Sequence, residues 1–426
     1  RIDAEITRRC NLNCIFCSRR ASSIDLNEES KKIEMKDERW IGLVKESGEL
    51  GVKEWNISGI GEPNLRPNLL SKMMELIKAY DMFGEITTNG TCWKDEEIKK
   101  VVEIQWDSVC ISIDAPNEKL HEYFRRVKGC FKQVVNTTKK FSYWKKKLRS
   151  RLPIITINVV LNKKNYMFIP KIVELGGKLG VDAVFVEPMV LFSKIAAPLK
   201  LKEKEIKLLP KYIQEAMQVG EKLGIALTIS PISVDRSYDE DLVKNVGEAR
   251  KILKNTKEND KLLSIPCYHP WLSLMIRVDG TTIPCGELER FKDNVREKSL
   301  EEVWYGPNMN KIRESFLSGI IPYECDKCRP NIINDMKEIK KTIKKFRNLE
   351  ELRNEILDLL KENKKLRDYI LFLNSNVKNC WKDEIEEEEL RKELIRYKNS
   401  ISYRISKKLE KTWLGRGLRK LLGVYL

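Results

Sequence analysis

Residues 2–20, "IDAEITRRCNLNCIFCSRR", set an alternating apolar–polar run directly before three cysteines, Cys10, Cys14 and Cys17. Ile2, Ala4 and Ile6 recur at the two-residue period of a strand, which must end before the cysteines begin. The spacing Cys-x3-Cys-x2-Cys suits a loop wrapped around a metal centre. Four thiolates would close a tetrahedral zinc site or a cubane of four irons, whereas three leave one corner open. Nothing nearby supplies the fourth protein ligand that a structural zinc site uses. The trio therefore reads as three ligands of a 4Fe–4S cluster whose last iron takes a non-protein ligand.

Outward from this loop, short apolar runs alternate with amphipathic stretches. Segments 54–60, 84–90, 107–114, 153–162 and 181–190 read as further strands, with helices over 38–50, 68–80, 94–102, 132–147 and 169–179. A β–α unit repeated about six times predicts an α/β fold with a parallel sheet and right-handed crossovers. Functional groups then gather at the C-terminal strand ends, where the cysteine loop would stand. Residues 1–200 are expected to form this partial barrel and 201–262 a helical connector. A small domain over 263–335, a coiled-coil helix over 336–380 and an acidic run with a basic tail over 381–426 complete the expected order.

Composition narrows the chemistry. Only two histidines, His121 and His269, occur in 426 residues, which argues against triad hydrolysis and against a histidine-rich metal site. Eleven cysteines form an odd set, and seven of them fall into two compact groups, so metal ligation and a reducing, cytoplasmic setting are expected. Cys92, Cys110, Cys130 and Cys380 have no partners at ligand spacing and read as buried or incidental thiols. No run approaches the roughly eighteen apolar residues of a membrane span.

The "CNLNCIFC" spacing (residues 10–17) resembles the signature of the radical S-adenosylmethionine (SAM) superfamily. Further segments are similar to that family. "ISGIGEPNL" (57–65) looks like its Gly-Gly-Glu-Pro strand end, with Gly59, Gly61, Glu62 and Pro63 in place and Ile60 intruding. "TTNGT" (87–91) and "ISIDAP" (111–116) resemble the ends of strands three and four. The resemblance implies a partial (β/α)6 TIM-like barrel whose open iron is chelated by SAM. It further implies that Glu62 and nearby carbonyls meet the methionine amino group, and that Ser112 and Arg125, or the adjacent Arg126, meet its carboxylate. Reductive cleavage of SAM would give a 5′-deoxyadenosyl radical that abstracts hydrogen from substrate.

Cys267, Cys285, Cys325 and Cys328 form a second set, with Gly280 before Cys285 and "CDKC" at 325–328. Four ligands describe a closed site, which taken alone could be a zinc ribbon. In this context the segment resembles the twitch form of the SPASM-type auxiliary-cluster domain, with Asn334 where a fuller version would continue in cysteines. A cluster ligated wholly by protein would serve electron transfer. This layout is similar to aminocyclitol dehydrogenases, so the resemblance implies oxidation of a carbinol carbon in a sugar or cyclitol, lipid-linked in one version. Glu187, at the end of "VFVEP", and Asp114 are then the proton-accepting candidates. His269 is expected to pack near Cys267 rather than ligate. A flavodoxin or ferredoxin would deliver the electron.

From Leu349 to Val377 apolar residues keep a strict 3–4 spacing with Asn363 at one core position, which predicts a coiled coil and a homodimer. Residues 391–426 carry eleven Lys and Arg against two Glu, mixed with Trp413 and several leucines. That pattern suits the anionic inner face of a membrane, or packing on the protein itself, better than nucleic acid. Two alternatives stay open: a radical SAM peptide-modifying maturase, and a zinc-stabilised, membrane-tethered coiled-coil scaffold.

Overall fold

The computed structural model describes residues 1–22, 24–230, 265–328 and 336–341. The heptad segment, the basic tail, Asn334, Cys380 and much of the expected connector lie outside the described residues. Residues 1–336 form one compact unit.

Seven parallel strands follow one another: β1 (Ile2–Ala4), β2 (Glu54–Ile57), β3 (Phe83–Thr88), β4 (Ser108–Ser112), β5 (Ile154–Leu161), β6 (Ala183–Pro188) and β7 (Ala226–Ile229). Eight α-helices lie between them: α1 (Leu26–Ile33), α2 (Asp37–Glu49), α3 (Pro67–Ala79), α4 (Asp95–Glu103), α5 (Glu118–Arg125), α6 (Cys130–Lys147), α7 (Ile169–Leu179) and α8 (Glu203–Leu223). Each covering helix turns one apolar stripe to the sheet. In α2 that stripe is Trp40, Leu43, Val44 and Ser47, and in α7 it is Ile169, Ile172, Val173, Gly176 and Leu179. Trp40, Trp55 and Trp106 are wholly enclosed between helices and sheet.

β7 is an addition to the expected six β–α units, and it falls inside the span read as a helical connector. Ile225, Leu227 and Ile229 keep a two-residue period, but the strand pairs over only four residues and directly follows the long helix α8, whose pattern dominates the span. The sheet also continues beyond β1. β8 (Leu274–Ile276) pairs parallel to β1, and β9 (Thr281–Ile283) and β10 (Asp293–Asn294) follow antiparallel. The full order among the described residues is β10-β9-β8-β1-β2-β3-β4-β5-β6-β7, a sheet that these strands leave open.

The face opposite the helices is polar. One register row runs Asp3, Asn56, Glu85, Ser108, and later rows hold Thr87, Cys110, Thr156 and then Ser112, Asn158, Phe185. Closed barrels fill this space with branched apolar side chains. Here the face is left for polar contacts, with Asn56 donating to Asp3 at 2.9 Å and Ser108 to Glu85 at 3.1 Å. Among the described residues no helix is long and apolar enough to cross a membrane.

Candidate active site

The loop after β1 carries the first cysteine trio and is tied down along its length. Arg9 grips Glu34 through Nε and Nη2 at 2.9 and 3.0 Å, and the Thr7 and Ser30 hydroxyls donate to the same carboxylate at 2.6 and 2.8 Å. Burial would raise the Glu34 carboxyl, but the bonds from Arg9, Thr7 and Ser30 hold it below its usual range. Asn27 clasps the Cys10 backbone, accepting from its amide at 2.9 Å and donating to its carbonyl at 3.3 Å. The Asn13 and Ile15 amides donate to the carbonyls of Arg125 and Phe124 at 3.1 and 2.9 Å, so the loop docks on the end of α5.

N–H donors face the sulfurs. The Leu12 amide lies 3.5 Å and the Asn89 amide nitrogen 3.8 Å from Cys10 Sγ, and Arg125 Nη1 lies 3.6 Å from Cys14 Sγ. Burial pushes the Cys10 thiol up to about 12 and raises Cys14 as well, with Arg125 pulling Cys14 back. A bare thiolate is costly in this setting. A bound iron cluster would supply the compensating charge, and N–H donors to sulfur are a normal part of a cluster's surroundings. The residues present therefore fit three-point cluster ligation.

The end of β2 passes very close to this loop. Gly59 adopts φ +144°, and a Cβ at Gly61 would lie 2.2 Å from the Thr7 carbonyl oxygen. The Glu62 amide donates to the Arg9 carbonyl at 2.7 Å, and Pro63 starts a short 3-10 turn. Glu62 itself is fully enclosed. It accepts from the Thr88 hydroxyl at 2.6 Å, the Asn89 amide at 2.7 Å and the Asn64 amide at 3.3 Å, while burial pushes its carboxyl up against those bonds. Glu62 thus organises the β3 end, and Asn89 beyond it reaches Cys10.

The remaining candidates separate. Ser112 and Glu187 lie on the concave face, where Asn158 is opposite Ser112 and donates to Glu187 Oε1 at 2.9 Å. Asp114 lies two residues beyond the end of β4. It is wholly buried, ion-paired to Arg125 at 2.5 Å, and accepts from the Val160 amide at 2.9 Å. Burial pushes its carboxyl up against the pull of Arg125. An enclosed, paired carboxylate has no path to a substrate hydroxyl, so the proton-accepting reading of Asp114 gives way to a structural one. Arg126 sits at φ +57° as the cap of α5.

Cys267, Cys285 and Cys325 pack on one apolar patch formed by Leu288, Phe291, Ile312 and Phe316. Burial pushes the Cys325 thiol up, and the charges of Cys285, Cys267 and Cys328 add to the rise. Such a crowd of thiolates needs a cationic centre among them, and a closed auxiliary cluster fits. His269 donates to or accepts from the Ser273 hydroxyl at 2.7 Å and packs beside the patch. Asn27, Glu34 and Asn89 were not singled out from sequence, because polar residues in loops carry no period.

Comparison with known proteins agrees with this geometry. Residues 4–144 match the model of the radical SAM superfamily, and residues 267–329 match that of an iron-sulfur cluster-binding domain termed SPASM. A PqqA peptide cyclase of Gluconobacter oxydans is 24% identical over 334 residues, covering 76% of this chain and 81% of that protein. A protein of Pyrococcus furiosus, described as modifying the cofactor of a tungsten-containing aldehyde ferredoxin oxidoreductase, is 24% identical over 70% of this chain and 79% of its own length. The fold resembles that of Streptococcus suis SuiB bound to SAM, with a TM-score of 0.53 and 18% identity over 73% of this chain and 67% of that one.

Proposed function

This chain is a radical SAM enzyme with an iron–sulfur cluster-binding domain, and from that premise we propose that it modifies a peptide, using both clusters. SAM, a SAM-binding 4Fe–4S cluster and auxiliary iron–sulfur follow from the two domains. Cys10, Cys14 and Cys17 would hold the first cluster, and Cys267, Cys285, Cys325 and Cys328 the auxiliary one. When bound, these groups supply hydrogen-atom abstraction and one-electron transfer.

The observation that carries the peptide reading is the open sheet. Among the described residues the sheet ends at β7 and β10 and does not close into a barrel, which leaves its polar face room for an extended chain. The names of similar proteins point the same way: one is a peptide cyclase, and SuiB is also known bound to a precursor peptide. On this face Asn158 orients Glu187, and Glu187 takes the proton released as the substrate is oxidised. Ser112, at the end of β4, supports the cofactor-proximal side of the same face. A second reading, oxidation of a sugar or cyclitol alcohol, is favoured by Glu187 standing at the strand end with hydrogen-bonding neighbours suited to hydroxyls.

The test begins with anaerobic reconstitution. Wild type is expected to bind about eight irons and a Cys10/Cys14/Cys17→Ala variant about four, by the cubane stoichiometry of each site. Release of 5′-deoxyadenosine from SAM is then measured with a synthetic peptide library and with a panel of polyols and cyclitols. Stimulation by peptides with a mass change in the peptide supports the leading reading. Stimulation by polyols alone replaces it with the second.

A further inference from the structure

The resemblance to the superfamily assigned Arg125 to the carboxylate of SAM, but the structure surrounds this arginine differently. Arg125 is enclosed at the end of α5, and its guanidinium is divided between two protein groups. Nη2 pairs with Asp114 at 2.5 Å, and Nη1 lies 3.6 Å from Cys14 Sγ. Its plane sits 5.6 Å from the centre of the Phe16 ring, inside the cysteine loop. Among the described residues Nε has no hydrogen-bond partner, and Asp114 Oδ2 meets Nη2 as an ion pair without a further hydrogen bond. Asp114 is itself fixed: the Val160 amide donates to its side chain at 2.9 Å, Asn165 Nδ2 donates to its carbonyl at 2.9 Å, and its amide donates to His121 Nδ1 at 3.3 Å. The backbone of Arg125 also receives the Asn13 amide, so the loop and the arginine move as one piece.

We propose that Arg125 is a positioning residue that acts through sulfur, donating to the Cys14 thiolate and raising the reduction potential of the cluster bound at Cys10, Cys14 and Cys17. The physical reason is charge. Reduction adds one electron to a cluster already made anionic by its thiolates, and a fixed guanidinium beside a ligand sulfur stabilises the reduced form more than the oxidised one. The group is buried, so solvent and salt screen it little. Asp114 holds the fork in place and offsets part of its charge, so the pair sets the potential between two limits. A lysine keeps the charge but cannot span Asp114 and Cys14 together, because it lacks the planar fork.

The inference depends on the radical SAM cluster and not on the nature of the substrate. The experiment is an EPR-monitored redox titration of the full chain carrying both clusters, following the signal that SAM perturbs, in wild type, Arg125→Lys and Arg125→Met. SAM affinity is measured in parallel by equilibrium binding. In Arg125→Met the ratio of reduced to oxidised cluster at a fixed poise is expected to fall at least tenfold, a shift of 59 mV to lower potential for one electron. Arg125→Lys should fall between that and wild type, and SAM affinity should change less than threefold. If Arg125→Met fails to take up iron, the lysine variant decides alone, because it keeps the ion pair. Unchanged potentials in the variants that load, with SAM affinity either retained or lost, overturn the proposal. Loss of affinity would return Arg125 to the methionine carboxylate.

Discussion

Glu34 shows how a single side chain organises the cysteine loop, since Thr7, Ser30 and Arg9 all donate to it. Its folded-state carboxyl lies below the unfolded value of about 4.3. Its contribution to stability is therefore full above that unfolded value and is lost as pH falls through the folded one. Glu34→Gln is expected to cost about 2 kcal/mol at neutral pH, the scale of hydrogen bonds to a charged group. Melting curves of both proteins between pH 7 and pH 3 should converge at the acid end, because glutamine does not titrate. A difference that persists unchanged at low pH would assign the effect to packing instead. At Glu187, replacement by Gln should leave SAM cleavage without substrate unaffected while slowing product formation with peptide. Comparison of 5′-deoxyadenosine with modified peptide measures that uncoupling.

At the scale of elements, the decisive contact is the one between the β2 end and the cysteine loop. The backbones of Gly61 and Thr7 approach so closely that no side chain fits between them. Gly61→Ala must push the two segments apart, at a cost of about 3 kcal/mol, the upper part of the range for overpacking. The displacement acts directly on the turn that presents Cys10. The variant should melt earlier and take up less iron at the first site, with the auxiliary site filled normally, as read by iron analysis and EPR. Helix α5 contributes a second docking edge through the carbonyls of Phe124 and Arg125. The loop is therefore braced from β2, β3 and α5 together, which is how three separated sulfurs hold their spacing.

For the molecule as a whole, the sheet makes the barrel and the auxiliary region one body. β8 pairs with β1, and the Glu5 amide donates to the Ile276 carbonyl at 2.9 Å immediately before the cysteine loop begins. Ile276 is completely enclosed in the core. Ile276→Asp should destabilise by about 4 kcal/mol or more, through lost apolar burial and an unpaired buried carboxylate. Cluster uptake at both sites should fail together, and near-UV circular dichroism and cluster absorbance should lose their signals in one transition. Two separated transitions would mean that the auxiliary region folds apart from the barrel.

The sequence by itself determined the class of fold and nominated the two cysteine sets, because both are written in local spacing. Three cysteines in eight residues, four more with their "CDKC" pair, and the regular exchange of strand and helix periods need no tertiary information to be read. The helix over 169–179 falls on the same residues in the structure. What only the tertiary structure decided are relations between distant residues. Asp114 and Glu187 are both acidic residues near strand ends, yet one is sealed into an ion pair and the other stays on the polar face, because Asp114 lies two residues past β4 against Arg125 at the end of α5, whereas Glu187 is still within β6. Glu62 accepts from Thr88 and Asn89, and β8 pairs with β1 across 272 residues of chain. Such pairings are fixed by which backbone groups and charges find partners once the core has closed, and spacing along the chain does not encode them.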